Sequence, residues 1–556
     1  MKTASDDHIY RVLVLDDDKF VLFTISACLK GSSFAAEMAS TANEALQLFR
    51  NNKFDAVISD ILMNSVDGFM FRDMIRKYNK QIPFIFLTSL VNDIDNSLMA
   101  RIMQDNHSHY LSKNFNRSFL LAKLDQAIKS YHAETAVSVL EKEIQDNLDL
   151  ASRLQAAMLP PWAHIDAHYE FGYLYRPLDK ISGDLFEWIP LNEDSCLCIF
   201  GDISGHGTHS ALAMTAVQSF LKQLIAISPN DAWQPHLVAR RINEFFCQKL
   251  RGCTYMSTLI MIWDFKQNIL RFHNAGYPDP LCFDTTTGES ILLNPERKGS
   301  LPLGLILNAE YLAEDSVETT FTDDSLFVTF SDGLLDLSES TDIDAGMDMS
   351  MFMRMAATLA QQSLVEDSTI TIPFRCYEAL EQIGYNEPQD DFSMFVIRKP
   401  KPRADNKFFI CRIPPDNHAV DGVAKDAAEF VLVNFKSEET AGKMEILLSE
   451  FLVNIVKHGL DGNRNVYDFL VIKLHGDDTQ VQVTVWDRGK KWKSSGLELH
   501  DELDNILQEL NLNNAQSGRG IPLMLKITPH IVRNRHCGLN ETIFTIPINR
   551  EPGEDA

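Results

Sequence analysis

The chain has 556 residues, more than one hydrophobic core usually supports, so three or four domains of about 100–200 residues are expected. Hydrophobic residues make up 45% and the net charge is −26, which argues against non-specific nucleic-acid binding and leaves metal sites, nucleotide sites or a basic protein partner. No predominantly apolar run reaches the ~18 residues of a membrane span, the polar, acidic N-terminus shows no signal peptide, and the nine cysteines lack zinc-type pairing, so reduced thiols in the cytoplasm and no disulfide are expected.

Short apolar runs at 11–15 and 54–59 end in Asp16-Asp17-Asp18 and in Asp60, and two later runs end at Thr88 and Lys113. Helical patterns lie between them, so the alternation predicts a doubly wound parallel sheet with its functional groups at the carboxyl ends of the strands. Acids, a hydroxyl and a lysine on one rim suit transfer of a phosphoryl group to a carboxylate. Two acids bind magnesium, one is the nucleophile, and the lysine and metal balance the phosphoryl charge. This order and spacing resemble the receiver domain of bacterial response regulators, over residues 8–130. The resemblance implies that Asp60 is the phosphoacceptor, that Asp16 and Asp17 hold Mg2+ with Asp60 and the Leu62 carbonyl, and that Thr88 and Tyr110 form a switch pair. It also implies that Lys113 senses the phosphate and that a cognate sensor histidine kinase acts upstream. Asn64 and Asn114 stand where prolines are usual, which bears on loop geometry more than on chemistry.

Over residues 131–161, Val137, Leu140, Ile144, Asn147, Ala151, Leu154 and Met158 recur three and four apart, the seam of a short coiled coil, which Pro160-Pro161 ends. Asn147 in that seam would fix register and favour a dimer. An amphipathic helix packed on its own domain fits the pattern equally well. Phosphorylation at Asp60 is expected to act through the dimerisation or docking of this helical linker.

Residues 162–399 carry four acidic clusters: Ser182-Gly183-Asp184, Gly201-Asp202-Ile203-Ser204-Gly205-His206-Gly207, Ser331-Asp332-Gly333 and Asp390-Asp391-Phe392-Ser393. One Asp-Gly is more often a turn. Carboxylates on separate strand ends with glycine beside them are what a pair of hard divalent cations needs, because oxygen ligands must converge and backbone must approach closely. That points to metal-assisted hydrolysis. With Met256-Ser257-Thr258-Leu259, His273-Asn274-Ala275-Gly276-Tyr277-Pro278 and Leu301-Pro302-Leu303-Gly304, the clusters resemble PPM-type serine/threonine phosphatases of the bacterial subgroup that acts on anti-sigma-factor antagonists, an α/β sandwich. The resemblance implies that Asp202 bridges two Mn2+ or Mg2+ ions, that Ile203 offers its carbonyl, that Asp332 and Asp390 complete the first ion, and that Asp184 lies near the second. It implies hydrolysis by water without a protein nucleophile. Glu187 stands where an aspartate is usual, Asp336 where a glutamate is usual, and Tyr277 replaces a common histidine. His206 and His209 lack a third nitrogen or sulfur ligand and read as turn and helix-start residues.

Lys399-Pro400-Lys401-Pro402-Arg403 reads as a stiff linker opening residues 400–556. There Glu450, Asn454 and His458 stack along one face of a predicted helix, a strand over 481–486 runs into Asp487-Arg488-Gly489, and Gly518-Arg519-Gly520 precedes a helical stretch where backbone N–H groups can meet phosphate. Each is common by itself. Together they resemble the GHKL-type ATPase fold of anti-sigma-factor serine kinases, a second α/β sandwich. The resemblance implies ATP with Mg2+, Asn454 as magnesium ligand, Glu450 as general base on a substrate serine and Asp487 accepting the adenine amino group. Gly489 would admit the base, Gly518 and Gly520 would belong to the phosphate lid, and Thr542 would lie near the adenine. Lys490-Lys491 departs from the small residue or proline usual there.

A multidomain α/β and α+β response regulator is therefore expected, in a partner-switching circuit that controls a sigma factor. It would dephosphorylate, and through its last domain phosphorylate, a Ser/Thr of a small STAS-type anti-anti-sigma antagonist, with a sigma or anti-sigma factor as further partner. No direct nucleic acid and no membrane are expected, and a homodimer would form through the linker helix. The alternative makes the phosphatase the sole enzyme, the last domain binding ATP only to sequester a sigma factor or antagonist. The intact Glu450 favours turnover, because binding needs no base.

Overall fold

The computed structural model describes residues 9–63, 66–89, 100–102, 105–166, 168–205, 207–227, 233–251, 254–339, 348–366, 369–400, 407–460, 469–491, 524, 526–528 and 530–548. The expectations placed on Asn64, His206, Gly518 and Gly520 lie outside them. The chain falls into two compact units, 1–147 and 148–556, each described by itself.

In the first unit five parallel strands lie in the spatial order Phe34–Ala39, Tyr10–Leu15, Ala56–Asp60, Phe84–Thr88, Ser108–Ser112. The two strands at Ala56–Asp60 and Phe84–Thr88 are buried at every residue, as continuous apolar strands covered on both faces must be. Alternation divides the core: Val12 and Val14 face Ile25, Leu120 and Leu124, whereas Leu13 and Leu15 face Ala45, Phe71 and Ile75. The helix that closes this sheet is continuous with the linker, running over Arg117–Ala156. Along it Val137, Leu140, Ile144 and Leu154 are each more than half exposed.

In the second unit two antiparallel sheets face each other. One orders Ser316–Thr320, Ile269–Ala275, Met256–Asp264, Ser195–Ile203, Asp184–Asn192; the other orders Ser290–Leu292, Leu281–Asp284, Ser325–Phe330, Phe392–Arg398, Glu170–Arg176, Ala163–Ile165. Phe171, Phe186, Phe200, Trp263 and Phe395 fill the space between them. Helices Thr208–Ile227 and Pro235–Lys249 cover the first sheet through Met214, Val217, Ile242 and Phe246. Met349–Glu366 and Ile372–Gln382 cover the second through Phe352, Phe374 and Tyr377. Thr208–Ile227 is long and apolar enough to span a bilayer by composition, unlike any run singled out in the sequence, but here its buried side chains are core.

A third antiparallel sheet follows, ordered Phe408–Ile413, Leu470–Gly476, Gln480–Asp487, Leu539–Pro547, His530–His536. Val481, Val483 and Val485 face helices Asn417–Phe435 and Glu438–Asn454. On the opposite face Val471, Trp486 and Leu539 join the core built around Phe374 and Tyr377. Trp162 stacks on Phe469 at 4.8 Å beside them. This apolar junction joins the third sheet to the helix layer of the sandwich.

Candidate functional site

In the first unit Asp16 follows one strand, and Asp60 and Thr88 end two others, so the parallel sheet brings them to one edge. One ligand oxygen each from Asp16, Asp17 and Asp60 lies within 4.8 Å of the others, the only such group among the described residues. Lys113 Nζ stands 2.9 Å from Asp16 Oδ2 and 2.8 Å from Asp60 Oδ2. Burial pushes the Asp16 carboxyl up against the pull of Lys113, while hydrogen bonds to Asp60 and Asp16 outweigh burial and raise the ammonium. Lys113 N–H donates to the Thr88 carbonyl at 2.7 Å, fixing the lysine loop to that strand end. Tyr110 and Leu62 are exposed. Sequence reasoning missed Gly68: a Cβ there would stand 2.3 Å from the Asp60 carbonyl oxygen, so only glycine lets this helix start over the Asp60 loop.

In the sandwich Asp184 and Asp202 are cross-strand partners. Strand alternation turns both toward the space between the sheets, since Phe186 and Phe200 on the same faces fill it. Asp184 is 1% exposed, and neither carboxylate oxygen receives a hydrogen bond of ordinary geometry. Burial, then Asp202 and Asp391, push its pKa well up. Burial, then Asp332, Asp390 and Asp391, push Asp202 to about 7. Asp332 is raised by burial, Asp390 and Asp336. Half-buried acids that repel one another, around a fully buried Asp184 that takes no hydrogen bond of ordinary geometry among the described residues, fit divalent cations. Ile203 is fully buried at the end of its strand. Gly205 and Gly207, both at positive φ, shape the turn that follows, and His209 is exposed on the next helix.

Three placements differ from or add to the sequence reasoning. Glu187 lies on the face opposite Asp184, buried against Lys222 at 3.2 Å, so it does not join the acids; burial pushes it up to about 7. Asp391, the neighbour of the expected ligand Asp390, accepts N–H groups from Leu178 at 2.8 Å and Gly183 at 3.0 Å and so staples the loop before Asp184. Gly333 passes so close that a Cβ would meet the Asp391 carbonyl at 2.0 Å. Tyr277 is buried among the side chains that fill the space between the sheets, and its phenol is raised first by burial and then by Asp184.

In the third sheet Asp487 is 1% exposed and its Oδ1 accepts from Gly489 N–H at 2.7 Å and Asn540 Nδ2 at 2.8 Å. Thr542, buried and paired with Val485, lies on the same helix-facing side. Helix Glu438–Asn454 carries Glu450 and Asn454 in its last turns and runs on to Gly459, whose carbonyl accepts Lys490 N–H at 2.8 Å. Gly489 has no room for a Cβ, which would stand 3.1 Å from the Gly459 carbonyl. The asparagine-bearing helix and the aspartate turn are thus locked together. Sequence reasoning missed Asn540, which carries no motif of its own.

The sequence matches three family descriptions: "Response regulator receiver domain" over 12–125, "Stage II sporulation protein E (SpoIIE)" over 192–400 and "Histidine kinase-like ATPase domain" over 413–546. Among curated relatives, sensor histidine kinase CheAY of Helicobacter pylori is 30% identical over 132 residues, 23% of this chain and 16% of that protein. Phosphoserine phosphatase RsbP of Bacillus subtilis is 22% identical over 193 residues, 35% of this chain and 46% of that protein. The chain thus spans less than half the length of either relative. The crystal structure of the RsbU and RsbW domains of Rv1364c from Mycobacterium tuberculosis is 17% identical, covering 69% of this chain and 95% of that one with a TM-score of 0.36. The chain carries, in this order, a response regulator receiver domain, a phosphatase domain of the SpoIIE family and a histidine kinase-like ATPase domain.

Proposed function

We propose that this chain is a cytoplasmic partner-switching regulator. Its phosphatase domain removes phosphate from a serine or threonine of a small antagonist protein, its ATPase domain restores that phosphate from ATP, and phosphorylation of Asp60 sets the balance. The observation that carries the proposal is Asp184: buried, opposite Asp202, with no hydrogen bond of ordinary geometry to either oxygen among the described residues. A named phosphoserine phosphatase among the relatives supports the substrate class.

In this reading Asp184, Asp202, Asp332, Asp390 and the Ile203 carbonyl hold two Mn2+ or Mg2+ ions. When bound, such ions lower the pKa of water and offset charge on the phosphoryl oxygens. The chain's own part is to hold the acids in place. Asp391 ties the Asp184 loop to its own turn, and Gly201 and Gly333 let backbones approach. In the receiver, Asp16, Asp17, Asp60 and the Leu62 carbonyl hold Mg2+, and Lys113 meets the phosphoryl group on Asp60 with Thr88 and Tyr110 as the switch pair. In the ATPase domain Asp487 and Thr542 take the adenine with Gly489, Asn454 holds Mg2+, Gly518 and Gly520 cover the phosphates, and Glu450 accepts the serine proton. The exposed stripe of Val137, Leu140, Ile144 and Leu154 supports dimerisation through the linker helix.

The test follows phosphate on a purified antagonist protein. With Mn2+ and no ATP, the full chain should strip phosphoserine and Asp202→Ala should not. With ATP and Mg2+, Asp202→Ala should add phosphate, and the double variant with Glu450→Gln should not. Phosphate removal by Asp202→Ala would overturn the phosphatase assignment; phosphate addition by the double variant would overturn the role of Glu450.

A further inference from the structure

The hairpin His530–His536 to Leu539–Pro547 turns through Cys537 and Gly538, with φ of 45° and 89°. Two residues in the left-handed region make the tight turn that suits adjacent antiparallel strands, and Asn-Gly or Gly-Gly is its usual sequence. Cysteine at the first position is held against its backbone preference. An unfavourable conformation persists only where the surroundings impose it. Here they do. Arg176 of the phosphatase domain donates from Nη1 to Cys537 Sγ at 2.9 Å, while its guanidinium lies over the Tyr377 ring at 4.4 Å. His536 Nδ1 meets Glu378 Oε2 at 2.7 Å, and Leu539 is fully buried with Tyr377. The tip of an ATPase-domain hairpin is therefore gripped by one helix and one strand end of the phosphatase.

Both ends of this grip lead to chemistry. On the phosphatase side Arg176 is the cross-strand partner of Phe392, the residue after Asp390-Asp391, and the Tyr377 ring meets the Phe392 ring edge-on at 4.7 Å. Two residues on, Leu178 N–H holds Asp391. On the ATPase side Asn540 follows Leu539 and donates to Asp487 Oδ1 at 2.8 Å and to the Gly489 carbonyl at 3.2 Å; Arg535 donates to the same carbonyl at 2.9 Å. A ligand that donates to Asp487 thus draws on the side chain that Asn540 holds, and Asn540 leads through Leu539 to the two-residue turn of Cys537 and Gly538.

We infer that Arg176 and Cys537 are positioning residues that couple the two sites, so that adenine nucleotide on Asp487 changes the divalent-cation affinity of the phosphatase acids. This rests on the assignment of both sites under Proposed function. The coupling is reciprocal by thermodynamic necessity, which gives it a signature that local damage does not produce.

The full chain is titrated with Mn2+ in the presence and absence of saturating adenosine, and with adenosine in the presence and absence of Mn2+, by calorimetry. Adenosine carries the adenine that Asp487 would take and has no phosphate to chelate Mn2+. Because the receiver acids can also take Mn2+, Asp202→Ala is the reference, and its remaining Mn2+ binding should not respond to adenosine. In the unaltered chain the Mn2+ affinity should change by about fivefold or more with adenosine, and the adenosine affinity by the same factor with Mn2+. In Cys537→Gly, which suits the turn and keeps the fold, both ligands should bind with the factor reduced to about one; Arg176→Gln should do the same. If both ligands bind the unaltered chain with no mutual effect, or the factor survives in both variants, the inference is overturned. Mn2+ binding that is the same in the unaltered chain and in Asp202→Ala, or absence of adenosine binding, overturns the site assignment itself, and the coupling with it.

Discussion

The receiver pocket and the phosphatase pocket are both built from aspartates at strand ends, and they solve the repulsion among them in opposite ways. The receiver places Lys113 within 3 Å of Asp16 and Asp60, so its acids are partly neutralised by the chain itself. The described residues show no lysine or arginine ion-paired with Asp184, Asp202, Asp332 or Asp390, and the carboxyls of Asp184, Asp202 and Asp332 are raised by burial and by neighbouring acids. The contrast teaches that a site with a resident cation can switch on one incoming phosphoryl group, whereas a site without one depends on ions from solution. Divalent metal should therefore act on the phosphatase as a structural necessity and on the receiver as an adjustment.

The largest expected effect is that of Asp202→Ala, which should lower phosphatase turnover by more than the 10–100-fold that outer residues around a metal usually cost. Phosphate release measured at saturating Mn2+ checks it. Next comes Glu187, whose folded pKa of about 7 exceeds its ordinary 4.5. Its contribution to stability is full below about 4.5 and is lost as pH rises toward about 7. Glu187→Gln should flatten that window and gain up to about 3 kcal/mol relative to the unaltered chain at pH 8, read from urea unfolding at several pH values. Asp391→Ala frees two N–H groups and should cost about 2–3 kcal/mol together with Mn2+ affinity; a loss below about 0.5 kcal/mol would show that the staple does little. Lys113→Ala should cost about 1–3 kcal/mol in the receiver, and millimolar Mg2+ should recover part of it. If Mg2+ raises the melting of the receiver less than that of the phosphatase in the same unaltered chain, the contrast is sharpened; equal responses in both would erase it.

Much of this was legible because the chemistry sits where strands stop. Asp60, Thr88 and Lys113 each close an apolar run, and parallel topology carries run-ends to one edge without further information. The four acidic clusters stood out at strand ends of both kinds, Asp202 and Asp332 where strands stop, Asp184 and Asp390 where they start. Direction was harder to read. Glu187 looked like one more acid near Asp184, but three residues along a strand reverses the face, and Lys222 on the covering helix receives it. Asp391 was hidden beside Asp390, because a doublet does not say which carboxylate turns outward and which holds the loop. The junction of Trp162, Phe469, Trp486 and Leu539 had no signature, since apolar residues from three distant segments become one core only after both domains have formed. The strain at Cys537 likewise depends on a partner 361 positions away.

The central claim is that the acids of the middle domain gather divalent ions to hydrolyse a protein phosphoester. The most direct measurement is phosphate release from a phosphoserine protein as Mn2+ is titrated into the full chain. The account predicts saturable dependence on Mn2+ with none left in excess chelator. Release that is unchanged by chelator, or absent at every Mn2+ concentration, would contradict it.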